Sequence, residues 1–231
     1  TQGVSSAASD VYKRQLRSSF MTFAESNQSQ MSTLEKIGKD KFRFGDVIID
    51  QRKRTVEFNA TSNQRNGLIE YALVHESGKT HESLFRTKIR PQILHACLLL
   101  LKHAQADRFF ENLWSENPEK IDFSRSVIKT EVRWDHNGSQ EKFSLEELSI
   151  NTKNNSKLKE GSFIFTGSRK IEDTYLADVS GSIIAVYADE DAVINSSDHD
   201  SNNDDVWIAN EKLMPDLEVS VVMRFLLPKA D

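Results

Sequence analysis

Residues 67–87, GLIEYALVHESGKTHESLFRT, set two short apolar runs on either side of Ser77-Gly78, a pattern that commits this part of the chain to a sheet. Glycine supplies the positive φ that a tight reversal needs, so the stretch predicts a β-hairpin. Two registers compete. A two-residue Ser77-Gly78 loop asks positive φ of the serine as well, whereas a three-residue loop, Glu76-Ser77-Gly78, asks it of the glycine alone and is favoured. In that register His75 faces Lys79, Leu73 faces His81 and Ala72 faces Glu82. Glu70 and Glu82 then become diagonal neighbours on one face, about 7 Å apart or a little less, and His75 and His81 are diagonal neighbours on the other.

Glu70 is the exception in a strand, residues 68–75, that is otherwise apolar on both faces. A carboxylate there must be solvated, hydrogen-bonded, paired or protonated. Arg86, opposite Leu68 in the favoured register, is the nearest cation, with Arg90 a second one. An arginine forked onto Glu70 makes the carboxyl pair structural, and without it one pKa rises to give an acid beside a base. His81 and Glu82 are adjacent in the predicted strand and so point to opposite faces; they cannot share an ion without a bulge. His75 and His81 are the candidate metal ligands.

Along the rest of the chain, residues 41–50 and 55–60 read as an opening hairpin with Val56, Phe58 and Ala60 inward. Pro91 starts a helix to about residue 103, with Leu94, Leu98 and Leu101 as its buried stripe and His95 and His103 on its surface. Residues 107–114 read as a second short helix. The 127–135 strand turns at Asn137-Gly138, and a two-residue loop puts Val132 opposite Phe143. Ser144 to Glu147 has capping-box spacing. Residues 151–160 read as a loop, 162–170 and 182–188 as strands, and 218–227 as a final strand with every odd position apolar. The expected class is α+β, mostly antiparallel sheet built of hairpins, with one principal helix over about 91–103.

The run GLIEYALVHESGKTHESL, followed by a proline-led apolar helix, resembles the YdjY-like domain, a bacterial family. Later blocks are similar to it in order: FIFTGSR at 163–169, GSIIA at 181–185 and DDVWIAN at 204–210. The resemblance covers residues 34–225. It implies a fold family and an exported protein, and it carries over no catalytic residue.

Residues 5–15, SSAASDVYKRQ, match the translation of a transposon-type sequencing adapter, so residues 1–33 are set aside as an adapter-derived and leader segment before a single domain over 34–228. Residues 16–24 end in Thr22-Phe23-Ala24, small residues at the first and third positions as at a signal-peptide end. Export to the periplasm or cell envelope is the expectation; a cytoplasmic protein starting at Met21 or Met31 is the alternative.

The formal charge is -5, and setting aside Asp10, Lys13 and Arg14, which carry a net +1, leaves -6; this opposes nonspecific nucleic-acid binding. No stretch is long and apolar enough for a membrane span. One cysteine, Cys97, sits in an apolar run and reads as a buried hydrophobe. Residues 198–204 offer oxygen side chains at EF-hand spacing, but Ala209 stands where the bidentate glutamate belongs, so an acidic solvated loop is expected. Ser168 lacks the nucleophile-elbow context. Trp207 and Asn210 flank a short strand, where packing of the tryptophan competes with ligand stacking.

These readings leave three function classes. The favoured one is a noncatalytic binding or cell-envelope-associated module for an unknown ligand or protein partner, with Glu70, His81, Glu82, Arg86, Trp207 and Asn210 as candidate binding residues. The alternatives are a domain holding a divalent metal cofactor near the 67–87 hairpin and a metal-free acid/base enzyme using Glu70 and Glu82.

Overall fold

A computed structural model describes residues 33–229. Leu34–Lys36 (β1) precedes a hairpin of Lys41–Phe44 (β2) and Val47–Asp50 (β3), closed by Gly45 at φ 59°. A second reversal at Arg54 leads into Thr55–Ser62 (β4), and Val56, Phe58 and Ala60 are buried as the alternation requires. The run expected as one strand over 41–50 is thus itself a hairpin.

Tyr71–His75 (β5) and Ser83–Thr87 (β6) lie side by side in parallel, Tyr71 beside Ser83 and His75 beside Thr87, so the predicted hairpin forms in neither register. Ser77-Gly78 does turn the chain, with the Gly78 N–H donating to His75 O at 2.8 Å. Thr80–Glu82 then coils into a 3₁₀ turn that carries the chain back to the start of β5. Parallel neighbours usually need a crossover of about a dozen residues or more; here only residues 76–82 connect them. Asn63 pins the short crossover, its Nδ2 donating to Thr80 O and to Ser83 O. Gly78 lets it lie flat against a distant segment: a Cβ there would sit 2.8 Å from Ser180 O, and one on Gly181 (φ 76°) would sit 2.6 Å from the Gly78 Cα.

Pro91–Leu100 (α1) begins with proline at its first turn, where the missing N–H costs nothing, and the next N–H, of Gln92, donates to Asp178 Oδ1. Leu94, Leu98 and Leu101 are buried as predicted. The helix stops short of residue 103 because Lys102 turns left-handed at φ 51°, and this swings His103 into the core rather than onto the helix surface. Phe109–Leu113 (α2) follows. Lys129–His136 (β7) and Ser139–Phe143 (β8) pair with Val132 opposite Phe143; Asn137 and Gly138 both have positive φ, as a type I′ turn demands. The capping box closes reciprocally, Ser144 N–H to Glu147 Oε2 and Glu147 N–H to Ser144 Oγ, with Leu145 and Leu148 buried beneath.

The remaining elements are Ser149–Asn151 (β9), Phe163–Phe165 (β10), Lys170–Ile171 (β11), Thr174–Tyr175 (β12), Leu176–Ser180 (α3), Ser182–Ala185 (β13), Ile194–Ser196 (β14), Trp207–Ala209 (β15) and Ser220–Leu226 (β16). The fold is mostly β: one large mixed, mostly antiparallel sheet with, among the described residues, a single helix of seven or more residues. β16 joins β4 to β7. From β4 the sheet also runs through β6, β5, β13 and β14 to β10. A bridge between Ile164 of β10 and Val127, just ahead of β7, then brings the circuit back on itself, with Ile128 N–H donating to Phe163 O at 2.9 Å. Tyr71, Phe85, Phe163, Phe165, Trp207 and Phe225 are the largest fully buried side chains. Residues from Lys36 on form one compact unit; the expected leader, residues 1–33, lies outside the described residues save Thr33. Among the described residues no helix is long and apolar enough to cross a membrane.

Candidate functional site

The parallel pairing brings Glu70 and Glu82 together by a different route from the predicted hairpin. The Glu70 N–H donates to Glu82 O at 2.9 Å, and the Glu70 carbonyl accepts from Val186 and Tyr187 N–H, so its backbone is pinned on both sides. The backbone bond between them sets the Glu82 carboxyl near enough to Glu70 for its charge to act on it. Partial burial raises the Glu70 pKa, and the charges of Glu82 and Asp204 push in the same direction while Lys79 opposes them.

Lys79 is the cation at this site. Its Nζ lies 4.0 Å from Glu82 Oε1 and donates to the Tyr71 hydroxyl at 2.6 Å. Tyr71 in turn donates to Asp189 Oδ2 at 2.9 Å, and burial raises its pKa, so it remains a neutral O–H. A continuous polar row therefore runs from Glu70 and Glu82 at the surface through Lys79 and Tyr71 to Asp189. Lys79 is detectable in the sequence, three residues before Glu82; Asp189 reaches the row only through the fold.

Arg86 does not hold Glu70. It donates to Glu218 Oε2 at 2.6 Å and to Asn63 Oδ1, because β6 runs parallel to β5 and carries residue 86 away from residue 70. Arg90 instead pairs with Asp178. The rule that His81 and Glu82 point apart fails for the same local reason: in a 3₁₀ turn the His81 Nε2 comes to 3.6 Å from Glu82 Oε2, although the imidazole is 78% exposed. His75 is not beside His81; its Nδ1 engages Ser77 Oγ at 2.7 Å. Among the described residues no three histidine, cysteine or carboxylate side chains gather as metal ligands.

Trp207 is buried, its indole N–H donating to Asp200 O, and Asn210 Nδ2 donates to Glu147 O: both act as packing and bracing groups. The 198–204 loop is tied down rather than merely solvated. Asp198 is buried and accepts the Lys159 N–H, His199 lies between Asp198 and Asp200, and the hydrogen bond from Asn151 holds the Asp200 carboxyl below its usual range. Ser168 Oγ accepts the Ala177 N–H, and burial pushes the Cys97 thiol pKa up, which leaves it inert. His95 is also misplaced by a surface reading: it packs edge-on to Phe165 and Tyr175 with its Nδ1 2.6 Å from the Tyr175 hydroxyl.

What fold and site define together is a β-rich domain carrying a polar row at a strand crossover. The YdjY domain family model matches residues 47–225, from β3 to β16, and the chain belongs to that family. No curated protein and no solved structure matches the chain.

Proposed function

We propose that the chain is a noncatalytic binding module, associated with the cell envelope, whose recognition surface is the Glu70, Glu82 and Lys79 group. The observation that supports this is the arrangement of that group: two glutamates joined through their backbones, with the Lys79 ammonium 4.0 Å from Glu82 Oε1, Glu82 retaining 22% and Lys79 43% of side-chain exposure. Such a surface offers acceptors and a donor to a polar ligand without enclosing it, and chemistry that depends on water exclusion is favoured by enclosed sites. The envelope location rests on the signal-peptide-like triplet Thr22-Phe23-Ala24.

A second reading, acid/base chemistry by Glu70 and Glu82, draws on the Glu70 pKa, raised by burial and by the neighbouring Glu82 charge. Carbon-13 NMR titration of both glutamates separates the two. The binding reading expects the Glu70 carboxyl to be ionised at neutral pH, and a Glu70 still protonated there moves the case to the acid/base reading. In the same samples, titrated with ethylammonium and acetamide, the binding reading expects amide shifts clustered at residues 70 and 79–82, lost in a Glu70→Ala/Glu82→Ala variant. Shifts centred elsewhere would remove the surface from consideration.

A further inference from the structure

The edge of β4 that faces away from β16 has two successive neighbours. It pairs with β3 as far as Glu57 and with β6 from Thr61, so among the described residues the stretch between them has no strand beside it on that edge and the sheet splits. The split opens a cleft of about 310 Å³, a size suited to a small molecule. Thr87 Oγ1 reaches across it to Asn59 O at 2.7 Å. Its lining carries Arg86 and Lys88 together with Asp46 and Glu76, two charges of each sign, and the hydroxyls of Thr61 and Ser220.

Arg86 is pre-oriented there. Its side chain keeps 26% exposure, one guanidinium nitrogen donating to Asn63 Oδ1 and another to the carboxylate of Glu218. Glu218 is 69% exposed in its side chain, and its backbone takes the left-handed conformation at φ 64° that favours glycine. An exposed ion pair of this kind is weakly held and readily exchanged. We propose that the cleft binds a zwitterion of amino-acid or dipeptide size, that Arg86 receives its carboxylate and Asp46 and Glu76 its ammonium, and that Glu218 occupies the carboxylate position until the ligand displaces it. A simple anion or a simple cation would engage lining charges of one sign only, whereas a zwitterion meets both.

The test titrates the nitrogen-15-labelled full chain with L-alanyl-L-alanine, with acetate and with ethylammonium, following the amides of residues 59–61, 86–88 and 220. Saturable shifts there with the dipeptide, and weaker ones with either single-charge probe, are expected. Glu218→Gln is the discriminating variant. Removing the internal competitor should tighten dipeptide binding by up to about fivefold, the equivalent of one exposed ion pair. Arg86→Lys should weaken it about tenfold by losing the planar fork. The proposal is overturned if neither wild type nor Glu218→Gln gives saturable shifts at the cleft, if acetate binds as tightly as the dipeptide, or if Glu218→Gln leaves affinity unchanged or lowers it.

Discussion

His103 is 4% exposed, stacked on Phe165 with ring centroids 5.9 Å apart, and neither of its ring nitrogens makes a well-formed hydrogen bond; the Ser126 backbone is a polar neighbour. Burial lowers its pKa from 6.5 to about 4, and the Arg54 charge adds to the shift; His95 is lowered to about 4 by burial and by Lys170. The unfolded chain therefore binds more protons than the folded one between those values. Stability is fully present above about 6.5 and falls as pH drops towards 4, by on the order of 2 to 3 kcal/mol for His103. Replacing His103 with Phe keeps the stack and removes the proton, so a plot of Tm against pH should be visibly flatter over that window for the variant. An unchanged slope would show that His103 does not titrate with folding. Sequence spacing misplaces this residue because the helical period of 91–100 runs on unbroken to 103, and nothing local announces that a lysine will take φ 51° at residue 102. The proximity of Glu70 and Glu82 is readable for the opposite reason: they are twelve residues apart across one connection, and both a hairpin and a tight crossover bring them together.

At the scale of the element, the 76–82 crossover depends on two glycine backbones in contact. Gly78→Ala puts a methyl 2.8 Å from Ser180 O and 3.0 Å from the Gly181 Cα, both backbone atoms that cannot swing away. The expected cost is about 1 to 3 kcal/mol, measured as a shift in urea midpoint at unchanged slope. A neutral result would mean that the crossover relaxes freely off α3. Glycine at a turn, apolar runs and paired charges fit both a hairpin and a crossover, and the sequence of 67–87 alone does not choose between them; in the fold β6 pairs antiparallel with β4 and parallel with β5. Where the deciding contacts are local, as in the Asn137-Gly138 turn, the capping box and the alternating strand β16, the sequence suffices. The expected first strand, β2 and β3 together, breaks only at its midpoint, where Gly45-Asp46 makes a two-residue loop.

Across the whole molecule the weakest join is where the circuit closes, since β10 and the segment leading into β7 share only the Val127 to Ile164 bridge while β4 and β16 pair over seven positions. Native-state hydrogen exchange should show the Ile128 amide opening well before those of β4 and β16. Equal protection would mean that the circuit opens only with global unfolding. The contact of Gly78 with Gly181 has a consequence for a chain emerging from the ribosome. Its two halves are separated by about a hundred residues, so the loop-closure cost must be met before the contact can form. Until residue 185 has been made, Tyr71–His75 is an apolar strand with one bare edge, open to pairing with another copy of itself. The interval in which this protein is exposed to aggregation is therefore set by the distance along the message between those two glycine codons, and a truncated product ending before residue 180 would stay in that exposed condition.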